Sequence, residues 1–434
     1  MSSASLLDRF RRGRGAVPGI RHDGQQLSYA GNKLTAMDIL MLSDVYFPRV
    51  NGVSTSIRTL AKSLLGMGHR VSLVVPDYGA DSGQGSHDAE FADGFELIRL
   101  PACQIFFDPE DRLIKAGALR DVMPRLARRR WDVIHVHTPF RAHQLGVRLG
   151  RACDIPVVET YHTYFEEYVS HYLPWLPSTM LRLLARVASR RLCHAVDHLI
   201  VPTAEMTVVL RGYGVLTSAT VLPTGIDLTE FSGGNGNAFR ARHGIDPRQP
   251  VLVTVSRLAV EKNIAFLLRV VRVLADDFPD LLFVIAGEGP DRPRLKALAR
   301  TLALDSHVRF FGNLDRRTEL LDCYRAADAF VFASPTETQG LVLIEAMALG
   351  VPIVSTAVMG TATVLREANS AVASAQDVTV FADSVAQVLR DPVLRASLSA
   401  AGPRDAQTWG SDALMRQAVD LYASLVPARS LSRA

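Results

Sequence analysis

Two carboxylates, Glu337 and Glu345, stand eight residues apart in the stretch Ser334-Pro335-Thr336-Glu337-Thr338-Gln339-Gly340-Leu341-Val342-Leu343-Ile344-Glu345-Ala346-Met347. Paired carboxylates suit general acid–base work, and they equally suit the binding of hydroxyl groups. Glu345 falls within an apolar run, where a carboxylate is costly to bury unless something pairs with it. The hydroxyls of a ligand would be suitable partners. Residues 328–333 read as a short buried strand, 334–340 as a polar turn, and the run that follows as a helix ended by Gly350 and Pro352.

Other loops carry further chemistry. Arg257 and Lys262, in Ser256-Arg257-Leu258-Ala259-Val260-Glu261-Lys262-Asn263, follow one strand-like run and precede a helix. One planar fork and one mobile point charge suit a diphosphate. Gly287-Glu288-Gly289-Pro290 and Phe311-Gly312-Asn313-Leu314 end two more runs, as ordinary turns also would. In the first half, Gly52 in Asn51-Gly52-Val53 opens a helix capped by Ser54 or Thr55. A helix start of this kind lets an anion approach the backbone. His135, His137 and His162, with His171 beyond, cluster at the ends of two runs. Zinc is weighed and ranked low, because no cysteine joins them and no H-E-x-x-H helix is present.

These loops need a scaffold that gathers strand ends. The 434 residues are 48% hydrophobic and 21% charged, which suits a globular chain of two or three domains. A net charge of +4 gives no global signature for nucleic acid. The four cysteines are scattered without a C-x-x-C pair, so a reducing cytoplasm is the simplest compartment. The longest apolar runs are strand-sized, short of the ~20 residues of a membrane helix. No apolar segment at the N-terminus resembles a secretory signal. Residues 1–36 are polar and basic and read as a disordered extension, with Met37 an alternative start. Short apolar runs at 39–42, 71–75, 96–100, 133–136, 157–160 and 199–201 alternate with helical patterns, and the series restarts at 251–255. Continuous apolar strands of this kind belong to parallel sheets covered on both faces. The expected fold is α/β: two doubly wound Rossmann-like domains, 37–215 and 216–410, facing a cleft. A C-terminal helix within 411–434 returns to the first domain. Ligands of such sheets lie outside the carboxyl ends of the strands.

Together these motifs resemble the retaining nucleotide-sugar glycosyltransferases of family 4, with the GT-B fold, from about residue 37 to 425. Glu337 and Glu345 match the family's E-x7-E, and residues 256–263, 287–290 and 51–53 match its other motifs. The resemblance implies that Arg257 and Lys262 grip the donor diphosphate and that Glu345 binds the ribose. Glu337 would contact the transferred sugar, and the backbone around Gln339, Gly340 and Leu341 would face the pyrophosphate. Gly52 would let the first domain close over the same phosphates. His162 matches the active-site histidine, which would orient hydroxyls rather than act as a nucleophile. The chain has no D-x-D, the motif by which transferases of the other common fold hold a metal. Its absence fits an enzyme without metal or other cofactor, in which the cations and helix dipoles carry the phosphate charge.

The segment from Tyr161 to Tyr172, with Thr336 to Gly340, resembles the branch that glucosylates diacylglycerol. Tyr161, Tyr164 and Glu166 are the acceptor candidates. Two segments read as basic helices agree with a lipid surface. One carries Arg112, Lys115, Arg120, Arg125 and residues 128–130; the other spans 176–194. The expectation is transfer of a hexose, glucose foremost, from a UDP-sugar to a lipid at the cytoplasmic membrane face, with no nucleic acid involved. Alternatives are a glycan intermediate of lipopolysaccharide or capsule, or a sugar phosphate, as acceptor. UDP-sugar epimerisation and non-catalytic sugar-nucleotide binding stand further off.

Overall fold

The computed structural model describes residues 36–49, 51–79, 93–105, 108–162 and 178–426. The first half runs β1 (Asp38–Leu42), α1 (Gly52–Gly66), β2 (Arg70–Pro76), β3 (Phe95–Leu100), β4 (Ala102–Ile105), β5 (Asp108–Ile114), α2 (Ala116–Ala127) and β6 (Val133–Val136). It continues with α3 (Arg141–Cys153), β7 (Val157–Thr160), α4 (Ser178–Cys193), β8 (His198–Val201), α5 (Ala204–Gly212) and β9 (Ala219–Val221). The second half begins with α6 (Gly236–Arg242), β10 (Val251–Val255), α7 (Ile264–Asp277), β11 (Leu282–Ala286), α8 (Arg292–Thr301), β12 (Val308–Gly312) and α9 (Glu319–Arg325). Then come β13 (Ala329–Phe332), α10 (Leu341–Ala348), β14 (Ile353–Thr356), α11 (Gly360–Leu365), β15 (Ala371–Ser374), α12 (Val378–Arg390), α13 (Pro392–Gln407) and α14 (Ser411–Leu425).

Two parallel sheets result, ordered β3-β2-β1-β6-β7-β8-β9 and β12-β11-β10-β13-β14-β15. This is the doubly wound α/β architecture expected from the apolar runs. Alternation along each strand feeds two cores. Leu40 and Leu42 of β1 face one cluster with Ile134 and Val136. Ile39 and Met41 face the other with Val133 and Leu73. That second cluster also holds Leu414, Met415, Ala418, Val419 and Tyr422 of α14. The last helix therefore leaves the second domain and packs on the first. Each such side chain contributes roughly 1.5–3 kcal/mol of burial.

Two details correct the sequence reading. β9 joins the first sheet, which therefore runs past the expected boundary at residue 215. This edge strand is three residues long and ends on a half-exposed Val221, so it leaves little apolar pattern. The first basic segment is only partly helical. Arg112 lies in β5, which turns back antiparallel on β4 with Arg112 opposite Gln104, and α2 ends at Ala127, before the three consecutive arginines. The acceptor candidates Tyr164 and Glu166 lie outside the described residues, as do residues 1–35 and the start of the second basic segment.

Candidate active site

Neighbouring strand ends assemble the first part of the site. β10 and β13 pair in register, so the loops that follow them meet. Ser334 Oγ donates to the Glu261 carbonyl at 3.1 Å, and Asn263 Nδ2 donates to the Ala333 carbonyl at 3.2 Å. With the backbones tied, the Lys262 ammonium and the Glu337 carboxylate form an ion pair, both side chains largely buried. Arg257 is also largely buried, with its guanidinium 3.9 Å from the Glu261 carboxylate. The Gly-Glu-Gly-Pro turn supports this loop from behind. Gly287 has φ 130°, and a Cβ there would stand 2.0 Å from the Ser256 carbonyl oxygen. Only glycine permits both that backbone and that approach.

Glu345 points into the second domain and is 2% exposed. Both of its oxygens are occupied. Arg316 Nη2 donates to Oε1 at 2.6 Å, and the Tyr324 hydroxyl donates to Oε2 at 2.9 Å. Burial and the adjacent carboxylate push the Tyr324 hydroxyl well above its usual pKa, so it remains a proton donor. Burial works against the Arg316 charge, but Glu345 beside it more than offsets this and raises its pKa. A carboxylate has about four lone-pair positions, so two remain after these bonds. The sequence reading sought a ligand partner for Glu345 and missed the two protein partners. A signal existed: Arg316 follows a strand end in β12 just as Arg257 follows β10.

Between the two glutamates the turn enters α10 through Gly340, whose φ of 89° breaks the strand direction. No side chain caps this helix start, and uncapped N–H groups at a helix N-terminus suit an anion. The Gln339 side chain takes a different task. Its Nε2 donates to the Thr224 carbonyl at 2.8 Å, and its Oε1 accepts the Thr224 N–H at 2.7 Å. Thr224 lies in the segment between the sheets, and its hydroxyl is 2.9 Å from Ser56 Oγ of α1. Gly52 is one turn earlier on that helix, exposed, with open space where a Cβ would stand. Arg58 and Lys62 of α1 pair with Glu230 at 2.6 and 3.0 Å, and Lys62 with Asp227 at 2.6 Å. The first-domain helix, the linker and the turn that carries Glu337 thus form one connected network.

His162 follows β7. Its carbonyl accepts the Thr338 hydroxyl at 3.1 Å, which sets the first domain against the turn that carries Glu337. Its ring is tilted by 25° from that of His137, with 3.3 Å between His162 Nε2 and His137 Nδ1. Burial pushes His162 down to about 4, so the imidazole is neutral at pH 7. Tyr161 has its ring in the first core and its hydroxyl 3.1 Å from Ser189 Oγ, and it lines a cavity with His137 and His162. Asp44, just after β1, is a further residue the sequence reading passed over. Its buried carboxylate accepts from Thr138 Oγ1 at 2.8 Å and from the Ala142 and Arg141 N–H groups at 3.0 and 3.2 Å. It caps α3 from a distance, in place of Phe140, which has no capping side chain. Burial nevertheless raises its pKa to about 6.

Comparison with known proteins fits this arrangement. Residues 50–230 match the family described as Glycosyltransferase Family 4, and residues 236–405 match Glycosyl transferases group 1. The chain is 32% identical over 327 residues to the alpha-monoglucosyldiacylglycerol synthase of Streptococcus pneumoniae, covering 74% of this chain and 71% of that protein. The chain belongs to glycosyltransferase family 4. The synthase of the same name from Acholeplasma laidlawii is 29% identical, over 73% of this chain and 80% of the relative. Among solved structures, the sucrose-phosphate synthase of Thermosynechococcus elongatus superposes with a TM-score of 0.71 at 22% identity, covering 90% of this chain and 99% of that one. At that identity the likeness speaks for the fold, which is GT-B. Among the described residues of this family 4 transferase, no helix is long and apolar enough to cross a membrane.

Proposed function

We propose that this transferase moves a hexose, glucose foremost, from a UDP-sugar to diacylglycerol or a related lipid, with retention of configuration and without a metal ion. The observation that carries the reading is a set of two ion pairs beyond the strand ends of the second sheet: Lys262 with Glu337, and Arg316 with Glu345. Arg257, Lys262 and the open start of α10 serve the diphosphate, supplying the charge a metal would otherwise bring. The remaining lone pairs of Glu345 serve the ribose hydroxyls, and Glu337 serves the sugar. His162 orients hydroxyls at the reacting centre. The leaving phosphate takes the acceptor proton in a front-face displacement.

A lipid acceptor is supported by the two relatives named for a diacylglycerol product and by the surface of α4. Met180, Leu183 and Leu184 are 41%, 61% and 55% exposed there, on a helix that also carries Arg182, Arg186, Arg190 and Arg191. Such a surface suits the face of an anionic membrane. The decisive assay mixes the protein with UDP-glucose, other nucleotide sugars and dispersed diacylglycerol, and weighs the products. Glycosylated lipid, lost on Glu337→Ala, is expected. Transfer only to a soluble sugar would remove the lipid, and full activity of Glu337→Ala would remove the site.

A further inference from the structure

Three imidazoles stand in a row from the first core out to His162, the first pair tilted by 38° and the second by 25°. His135 and His137 have ring centroids 4.0 Å apart, and His137 and His162 have theirs 5.6 Å apart. At the inner end both nitrogens of His135 are engaged. Nδ1 is 2.7 Å from the Tyr422 hydroxyl of α14, and Nε2 is 2.7 Å from Thr160 Oγ1. His135 and Tyr422 are fully buried and hold the base of the row in place. Burial pushes His135 down to about 3, His137 well below its usual range and His162 to about 4. Each ring is therefore neutral at pH 7 and carries one proton, on one nitrogen or the other.

His137 decides which. Its Nδ1 meets His162 Nε2 at 3.3 Å, while its Nε2 is buried with no partner among the described residues. A buried N–H without an acceptor is rarer and more costly than a lone pair without a donor. The proton of His137 therefore sits on Nδ1, where it has an acceptor. We infer that His137 is a positioning residue that donates its Nδ1–H to His162 Nε2, so that His162 carries its own proton on Nδ1 and acts as a hydrogen-bond donor rather than as a base. The only lone pair of the His162 ring is then occupied. Its remaining N–H can be given to one kind of partner, an oxygen acceptor such as a hydroxyl of the transferred sugar. This rests on the reading that puts His162 beside that sugar.

Nitrogen NMR of the full-length protein, labelled on histidine, reads the tautomer directly, with the His162 signals assigned by their loss in His162→Gln. Protonated Nδ1 and unprotonated Nε2 at His162 are expected, and the reverse overturns the inference. Kinetics give a second reading. His137→Val removes the donor and should lower kcat about tenfold to a hundredfold with donor KM little changed, the usual range for a group that aids proton placement. His137→Asn puts an amide N–H near the position of Nδ1 and should restore most of that rate. Equal loss in both variants would make His137 a packing residue and refute the positioning role. Full activity in His162→Ala would instead refute the site reading, and the NMR result would stand apart from it.

Discussion

Replacing Arg316 by Met tests how the Glu345 carboxylate, proposed to bind the ribose, is held. The guanidinium lies 2.6 Å from Glu345 Oε1. At an effective dielectric of ~20 their attraction is roughly 6 kcal/mol, before the cost of removing both ions from water. The net loss on breaking a buried pair is about 3–5 kcal/mol, because the remaining charge is stranded. Here the stranded group is the carboxylate, whose side chain is 3% exposed, with only the Tyr324 hydroxyl left to it. Glu345→Gln breaks the same pair from the other side. It strands Arg316, whose side chain is 23% exposed against 3% for Glu345. The two substitutions should therefore be unequal, with Arg316→Met the costlier by at least about 1 kcal/mol. The double variant should recover part of the loss, because neither charge is then left alone.

Urea unfolding of the four proteins closes this cycle. UDP titration of the same proteins reads function separately. Both single variants should weaken UDP about tenfold or more, since charge-assisted bonds are worth about 1.5–3 kcal/mol. A stability loss below about 1 kcal/mol for Arg316→Met, or a larger loss for Glu345→Gln, would refute the account of Glu345 as a carboxylate held by Arg316 and Tyr324.

Gln339→Leu removes two bonds to Thr224 between the domains and should cost about 1–3 kcal/mol; with the domains less firmly aligned, kcat should fall more than donor affinity, and a change confined to affinity would count against this. Asp44 has a folded pKa raised by burial to about 6. The folded state thus binds the extra proton between pH ~4 and ~6, and the carboxylate opposes folding increasingly as pH rises through that window. Asp44→Asn removes this dependence, so its stability relative to the parent should improve by about 1 kcal/mol between pH 5 and pH 7.5, and an unchanged difference in urea would contradict the burial argument. Leu183→Asp with Leu184→Asp should cut co-flotation with anionic vesicles by at least about tenfold, each leucine contributing roughly 1.5–3 kcal/mol when buried; flotation equal to the parent's would move the membrane contact elsewhere.

What was legible in the sequence follows from how far each interaction reaches. The strands were visible because a strand buried on both faces must be apolar along its whole length, as residues 251–255 and 282–286 are. Glu337, Arg257 and Lys262 stood out because charges soon after such runs fall on one edge of the sheet, and Glu345 because it interrupts an apolar helical run. Their partners were not visible, since nothing local marks them. The Gln339–Thr224 contact spans 115 positions, and the Tyr422–His135 contact spans 287. Gln339 is the sharpest case. Its place in the motif suggested a role at the phosphates, yet its amide carries one donor and one acceptor that match the two halves of a single peptide group. That complementarity exists only once the linker passes beside the turn. The motif thus binds its own linker with a side chain, and on the proposed function its backbone serves the donor, so one short stretch would couple what is bound in the second domain to where the first domain stands. His162, fixed through its carbonyl by Thr338 of the same turn and through its ring by His137, is the point at which that coupling would meet the sugar in the proposed function.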